Sequence, residues 1–326
     1  MILRTFKSAQ PAPLFLIPVF CLIAVIAAYL KNTAFLVYDL QHGFLYALLL
    51  KLPLLQQRWI CEVFSFLMLS FQALYFNYII NKQEVLYKQS NLPAALYVLI
   101  FSTIPDFLVF NPFLLINCLL PVIIYKTFLL YKSEQTLSVA FDSCFLIAIA
   151  TMIYFPAVLL LIFYLVSLSI LRPFSWREWV TSFLGFMLPW FLVWTVLFLM
   201  NQSDLLLPPE PVRAWKPVLL LSTITKQHFI TGIFYIGVLL LALGKLRTNF
   251  YKNVIKMRKF QLCFLVLFLL MLIIVLVPLQ HSVSRFNLIV LPLTLFLSYY
   301  FVSIKKSWWF ELLFLFMLAL ILFNYV

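Results

Sequence analysis

Residues 260–279 read FQLCFLVLFLLMLIIVLVPL, twenty residues without a charge, a glycine or a regular alternation of polar and apolar side chains. The hydrocarbon core of a bilayer is about 30 Å thick and a helix rises about 1.5 Å per residue, so a crossing needs roughly 20 mostly apolar residues. This stretch has that length. Lipid offers the backbone no hydrogen-bond partner, so a helix that closes its own ladder fits, and the lack of alternation argues against a barrel strand. Working outward, ten further runs share the character: 12–30, 59–80, 92–108, 113–131, 138–154, 156–171, 179–200, 229–246, 286–304 and 308–326. The expected fold is all-α: a polytopic membrane helical bundle of about 11 transmembrane helices in a single domain over 1–326. Pro105, Asp106, Asn111 and Pro112 interrupt one apolar stretch and Tyr154 and Pro156 another, which predicts two tight helical hairpins.

Composition agrees. The chain is 65% hydrophobic and 10% charged, against about a quarter charged in a soluble domain. Five glycines and no long polar tract exclude disorder, collagen-like repeats and Gly-rich nucleotide loops. The connecting loops have no P-loop, which argues against ATP-driven work by this chain alone. Cys21, Cys61, Cys118, Cys144 and Cys263 all fall in apolar runs, where a thiol packs as a small hydrophobe, so neither a disulfide framework nor a metal spacing follows. The formal charge of +13 is scattered in short clusters between apolar runs. Such clusters face lipid headgroups, and no nucleic-acid partner is expected. Arg4 and Lys7 precede a run of signal-like polarity, but residues 13–30 are long for a signal core and Lys31 and Asn32 follow without a cleavage pattern. A retained first helix is the reading.

Positive charge sets the sidedness. With the N-terminus in the cytoplasm, the outer segments hold seven of the 23 basic residues (Lys31, Lys51, Arg58, Arg213, Lys216, Lys226 and Arg285) and the inner segments the other sixteen. The bias predicts an N-in/C-out arrangement in a bacterial inner membrane. All three histidines, with Asp39, Asp106, Asp204 and Glu210, then fall outside. Two outer segments exceed what a turn needs. Residues 31–58 hold an apolar and aromatic stretch between polar ends, expected to lie along the interface as a helix. Residues 201–228 combine four prolines with Arg213, Trp215 and Lys216 and read as a lid.

Candidate chemistry follows from that partition. Tyr38, Asp39, Gln41 and His42 make the densest outer polar cluster. Asp39 could serve as a general base for an acceptor hydroxyl or help hold a divalent cation or a sugar ring, or it could simply cap the interfacial helix. Arg213, Lys216, Lys226, His228, His281 and Arg285 supply outer cations suited to a lipid-linked phosphate, or to ordinary headgroups. Arg285 leads them, because SVSRFN sits directly at the start of a span. Glu62, Asp142 and Glu311 lie near span ends, where carboxylates snorkel or cap, and none is a clear deep proton site. RPFSWREW, residues 172–179, reads as an aromatic-belt anchor. The histidines lack HExxH spacing and no serine lies in GxSxG, so no metal site, metallopeptidase or serine hydrolase is indicated.

The stretch from Asn81 to Trp194, with NKQEVLYKQSNLPAALYVL, IPDFLVFNPFLLIN and FDSCFLIAIATMIYFPAVLLLIFYLVSLSILRPFSWREWVTSFLGFMLPW, resembles a family of polytopic inner-membrane proteins of Bacteroidota whose function is not established. The layout, a first helix, an outer loop bearing an acid and interfacial helices, many short-looped spans and a late outer loop, is similar to the GT-C class of polyprenyl-phosphate-sugar glycosyltransferases. That resemblance implies Asp39 as the catalytic acid, with Arg213, Lys216 or Arg285 contacting the donor phosphate. YDLQHG departs from the class in carrying one acid where a paired acidic motif is common.

The leading expectation is an outward-facing transferase of lipid-linked sugar in envelope glycoconjugate assembly. Asp39 and His42 would be catalytic, Arg213, Lys216, His281 and Arg285 would hold the donor phosphate, and Tyr38, Gln41, Asp106 and His228 would line the pocket. Its partners would be the bilayer, a polyprenyl-linked sugar and other envelope membrane proteins. Two alternatives stay open: a non-catalytic subunit or scaffold of an envelope machine, and a secondary transporter, which would need inverted repeats not evident in the chain.

Overall fold

The structure is a computed structural model describing residues 6–7, 12–31, 43–131, 134–201, 225–276, 283–304 and 307–325. The described residues form helices and short 3-10 turns with no strand element. The helices are α1 (Ala12–Leu30), α2 (Phe44–Leu50), α3 (Arg58–Lys82), α4 (Leu92–Ser102), α5 (Pro112–Leu129) and α6 (Thr136–Ile153). There follow α7 (Leu159–Leu171), α8 (Trp176–Leu199), α9 (Lys226–Asn249), α10 (Ile255–Leu276), α11 (Asn287–Ser303) and α12 (Ser307–Tyr325). Among the described residues nine helices are long and apolar enough to cross a membrane, so the chain is a multi-pass membrane protein. The apolar helices Leu92–Ser102 and Phe155–Leu171 are shorter. All eleven apolar runs are therefore helical, two of them in abbreviated form.

The boundaries have local causes. Asn111 accepts from Leu114 N at 2.7 Å and places Pro112 at the first position of α5, where a missing N–H costs nothing. Thr225 caps α9 through the His228 amide. Asn201 ends α8 with φ of 54°, a left-handed conformation that asparagine tolerates. The expected interfacial segment contains α2 and the 3-10 turn Pro53–Gln56.

One helix is central. The span Val283–Ser303 is 78% buried, whereas Trp176–Leu199 is 22% buried and has its main contact with α6. α11 touches α4, α5, α9 and α10. It bears no charged residue, and Thr294 and Ser298 return their hydroxyls to the carbonyls of Val290 and Thr294 at 2.7 and 2.6 Å. In an apolar medium that internal pairing removes polar groups which would otherwise be stranded. Buried side chains staple other helices: Gln72 donates to Leu114 O at 2.9 Å and accepts from Tyr97 at 2.8 Å, and Asn77 donates to Asn91 at 3.2 Å.

The predicted hairpin across Pro105–Pro112 takes a different form. α4 packs on α11, α3 and α1, while α5 packs on α6, α3 and α11, so the 3-10 turn Pro105–Phe107 joins two helices that seek separate neighbours. The physical reason is that each buries its apolar surface on other partners, α4 chiefly on α11 and α3, and α5 chiefly on α6 and α3.

Cross-helix ties sort into two ends. At one, Arg58 donates to Tyr29 O at 2.9 Å, Gln227 to Phe323 O at 3.4 Å, Ser284 to Asp106 O at 3.3 Å, and Lys31 to Asn324 O. At the other, Lys7 donates to Ile304 O at 3.2 Å, Lys259 to Leu171 O at 3.1 Å, and Lys256 pairs with Glu84 at 3.3 Å. These are called the Arg285 end and the Glu84 end below.

The α6–α8 contact depends on Gly185, where a Cβ would lie 2.5 Å from Phe141 O. Gly185→Ala should therefore cost about 1–3 kcal/mol through overpacking. Gly237, whose Cβ would meet nothing within 4 Å, provides the control. Thermal unfolding in detergent should show a lower midpoint for Gly185→Ala and none for Gly237→Ala, and equal midpoints would refute the close-packing argument.

Candidate functional site

The 3-10 turn Val283–Phe286 leads into α11 at the Arg285 end. Three polar contacts bind it to its neighbours: Ser284 Oγ to Asp106 O at 3.3 Å, Asn287 Nδ2 to Phe107 O at 3.3 Å, and Asn117 Nδ2 to Asn287 O at 2.9 Å. Arg285 is thereby held at 3% exposure. Its Nε and Nη1 are buried with no hydrogen-bond partner among the described residues, and no described carboxylate pairs with it. Its guanidinium carbon lies 6.0 Å from the Phe286 ring centre, and Tyr154 is within electrostatic reach. Burying an ion costs several kcal/mol unless it is paired. A guanidinium placed in this way suits an anion, which it can grip through two parallel N–H groups.

Beside this turn lies a cavity of about 300 Å³ between α4, α9 and α11, closed at its depth by Phe268 and Leu272 of α10. Val283 and Phe286, which flank Arg285, form part of its wall. On α9 the lining runs from His228 to Leu239, which at about 1.5 Å per residue is roughly 16 Å of depth. That is close to half of a hydrocarbon core of about 30 Å. Phe229, Ile233 and Ile236 border the cavity and are exposed on the outside of the bundle, so it opens sideways as a groove. Its lining is almost wholly apolar. Of the polar lining side chains, Thr103 and Tyr235 satisfy each other at 2.7 Å, and Thr231 donates to Gln227 O at 2.9 Å while accepting from Asn324 at 2.9 Å. His228 differs, because its buried Nδ1 has no partner among the described residues. Asp106 and Lys31 stand within electrostatic reach of it.

Three residues singled out from the sequence, Asp106, His228 and Arg285, therefore lie at one end of the bundle, but only His228 lines the groove; Arg285 sits in the adjoining turn, whose Val283 and Phe286 form part of the wall, and Asp106 is within electrostatic reach of His228. Tyr38, Asp39, Gln41, His42, Arg213, Lys216 and His281 lie outside the described residues. The end of YDLQHG is nonetheless anchored: Gly43 donates its N–H to Ile153 O at 2.9 Å, beside Tyr154. A Cβ there would lie 2.1 Å from Met152 O, so glycine permits the contact. Gly43 and Tyr154 were not legible as site residues, because their role comes from the packing of α2 against α6. The spacing of aromatics along a span could not single out Tyr154 either.

Three further acids serve the bundle. Glu62 pairs with Arg58 at 3.0 Å, Asp142 with Lys126 at 2.6 Å, and buried Glu178 with Arg172 at 3.6 Å. Cys21, Cys61, Cys144 and Cys263 are buried free thiols. No three His, Cys, Asp or Glu side chains among the described residues gather as a metal site. No protein-family model, curated protein or solved structure matches this chain.

Gly43→Ala should push α2 away from α6, with an overpacking cost of about 1–3 kcal/mol. Hydrogen–deuterium exchange across Phe44–Leu50 should accelerate by about tenfold or more, the equivalent of roughly 1.4 kcal/mol. Unchanged exchange would show that the glycine is not the anchor.

Proposed function

We propose that this chain is an outward-facing membrane transferase of GT-C-like layout, which moves a sugar from a polyprenyl-phosphate donor onto an envelope acceptor. In this reading eleven helices cross the bacterial inner membrane, N-in and C-out, and the Arg285 end faces outward. The observation that carries the proposal is the groove, about one leaflet deep and open sideways, that runs up to the turn holding Arg285, whose buried Nε and Nη1 have no partner among the described residues. An apolar tail and an anionic head are the ligand features that such a pairing fits.

The chemistry assigns a part to each outer group. Asp39 accepts the proton of the acceptor hydroxyl, with His42, Tyr38 and Gln41 orienting the sugar or the acceptor. The hydroxyl oxygen bonds to the anomeric carbon as the bond from that carbon to the lipid-phosphate oxygen breaks. The phosphate leaves with the electron pair, and Arg285 together with Arg213, Lys216 and His281 neutralises it. The donor carries the energy, so no nucleotide is required. A divalent cation near Asp39 is compatible with the scheme but is not a requirement of it.

General-base contributions are typically 10²–10⁴-fold, and loss of one preorganised electrostatic donor costs about 10²–10³-fold. In a purified-protein assay of sugar transfer from a polyprenyl-phosphate donor, Asp39→Ala and Arg285→Ala should each lose activity by about a hundredfold or more. Full activity in both variants would overturn the transferase reading. Sidedness is tested separately: single cysteines placed at the exposed positions Gln57, which precedes α3, and Gln89, which follows it, should react with an impermeant thiol reagent from outside and inside respectively. Labelling of both from one side would refute the topology.

A further inference from the structure

The transferase reading places His228 in the pocket without giving it a task. Its polar lining side chains Thr103, Tyr235 and Thr231 are all engaged with one another or with neighbouring groups. His228 stands at the mouth, on the first turn of α9, with a buried Nδ1 that meets no partner among the described residues. A ring nitrogen withheld from both water and protein carries an uncompensated desolvation cost unless a ligand supplies the missing bond. The titratable groups within electrostatic reach of it are Asp106 from the Pro105–Phe107 turn and Lys31 at the end of α1; Lys226 precedes it by two residues on its own helix, and Tyr325 of α12 lies within reach of Asp106.

We propose that His228 is the specificity-determining residue of the groove, donating a hydrogen bond from Nδ1 to the phosphate head of a single-chain amphiphile whose tail runs toward Leu239. The assignment rests on the lipid-binding part of the reading above and adds the residue that selects the head. Three observations choose a membrane amphiphile as occupant. The depth matches one leaflet, the lip residues Phe229, Ile233 and Ile236 are exposed where acyl chains would lie, and Arg285 adds positive charge beside the wall at Val283 and Phe286. His228 sets which head is accepted, while the apolar wall binds any chain of suitable length.

The test uses the full-length protein in detergent, with dodecyl phosphate and dodecanol as probes of equal chain and different head. Wild type should bind the phosphate at least about tenfold more tightly, as expected for a charge-assisted hydrogen bond. His228→Leu should reduce that preference to about threefold or less while leaving dodecanol affinity unchanged, and His228→Asn, whose amide places a donor where Nδ1 stands, should restore most of it. A preference retained in His228→Leu, or an equal loss for both probes, would overturn the assignment and leave the lipid reading standing. Gly232 lines the groove and its Cβ would meet nothing within 4 Å, so Gly232→Leu fills the space without a backbone clash. That variant should abolish both affinities. If wild type binds neither probe, or Gly232→Leu binds both normally, the lipid reading itself fails. Inorganic phosphate that binds as tightly as dodecyl phosphate, and depends equally on His228, would place the ligand in water and also overturn the proposal.

Discussion

Polar groups surrounded by hydrocarbon must find partners inside the protein, and the architecture is arranged around that demand. It explains why hydroxyls on α11 fold back onto their own helix, why Gln72 ties α3 to both Tyr97 and Leu114 O, and why Asn117 and Asn287 stitch α5, α11 and the Pro105–Phe107 turn together. The same demand distinguishes Arg285 and His228. A full cation at 3% exposure and an imidazole at the mouth of an apolar groove both retain nitrogens without partners among the described residues. Such groups are costly within a fold and useful to a ligand.

The acids show how burial and pairing separate structural from chemical candidates. Glu62, Asp142 and Glu178 each have a basic neighbour, so they hold helices together. Asp106 has no such ion pair among the described residues; its backbone carbonyl accepts from Ser284, and it stands within reach of His228. Gly43 brings the end of YDLQHG to the C-terminus of α6, beside Tyr154, which in turn lies near Arg285. Gly43, the last residue of YDLQHG, thus lies at the end of the bundle where the groove opens.

Apolar length alone identified the nine helices that are long enough to cross a membrane among the described residues, because a crossing is a local property: about 20 apolar residues suffice, whatever surrounds them. The runs 92–108 and 156–171 hold shorter helices, so the expected count of about 11 spans goes beyond those nine. The runs 12–30 and 113–131 match α1 and α5 within two residues. Arg285 was legible too, since a charge at the entrance to a span is conspicuous against its neighbours. The pairing of helices was not legible. The apparent hairpin around Pro105–Pro112 instead divides between other partners, because uniformly apolar helices carry no stripe that marks which face meets which neighbour.

The order of residues by itself determined that the protein is helical, crosses a membrane repeatedly and carries few charges, all of which follow from the transfer energetics of short segments. Only the tertiary structure decided that α11 lies at the centre, that Gly43 meets Ile153, and that the groove is lined by His228 and, more than fifty residues later, by Val283 and Phe286 of the turn that holds Arg285. Those facts depend on how helices pack, and packing in lipid is settled by close approach and a few buried polar contacts between distant residues, which no local pattern encodes.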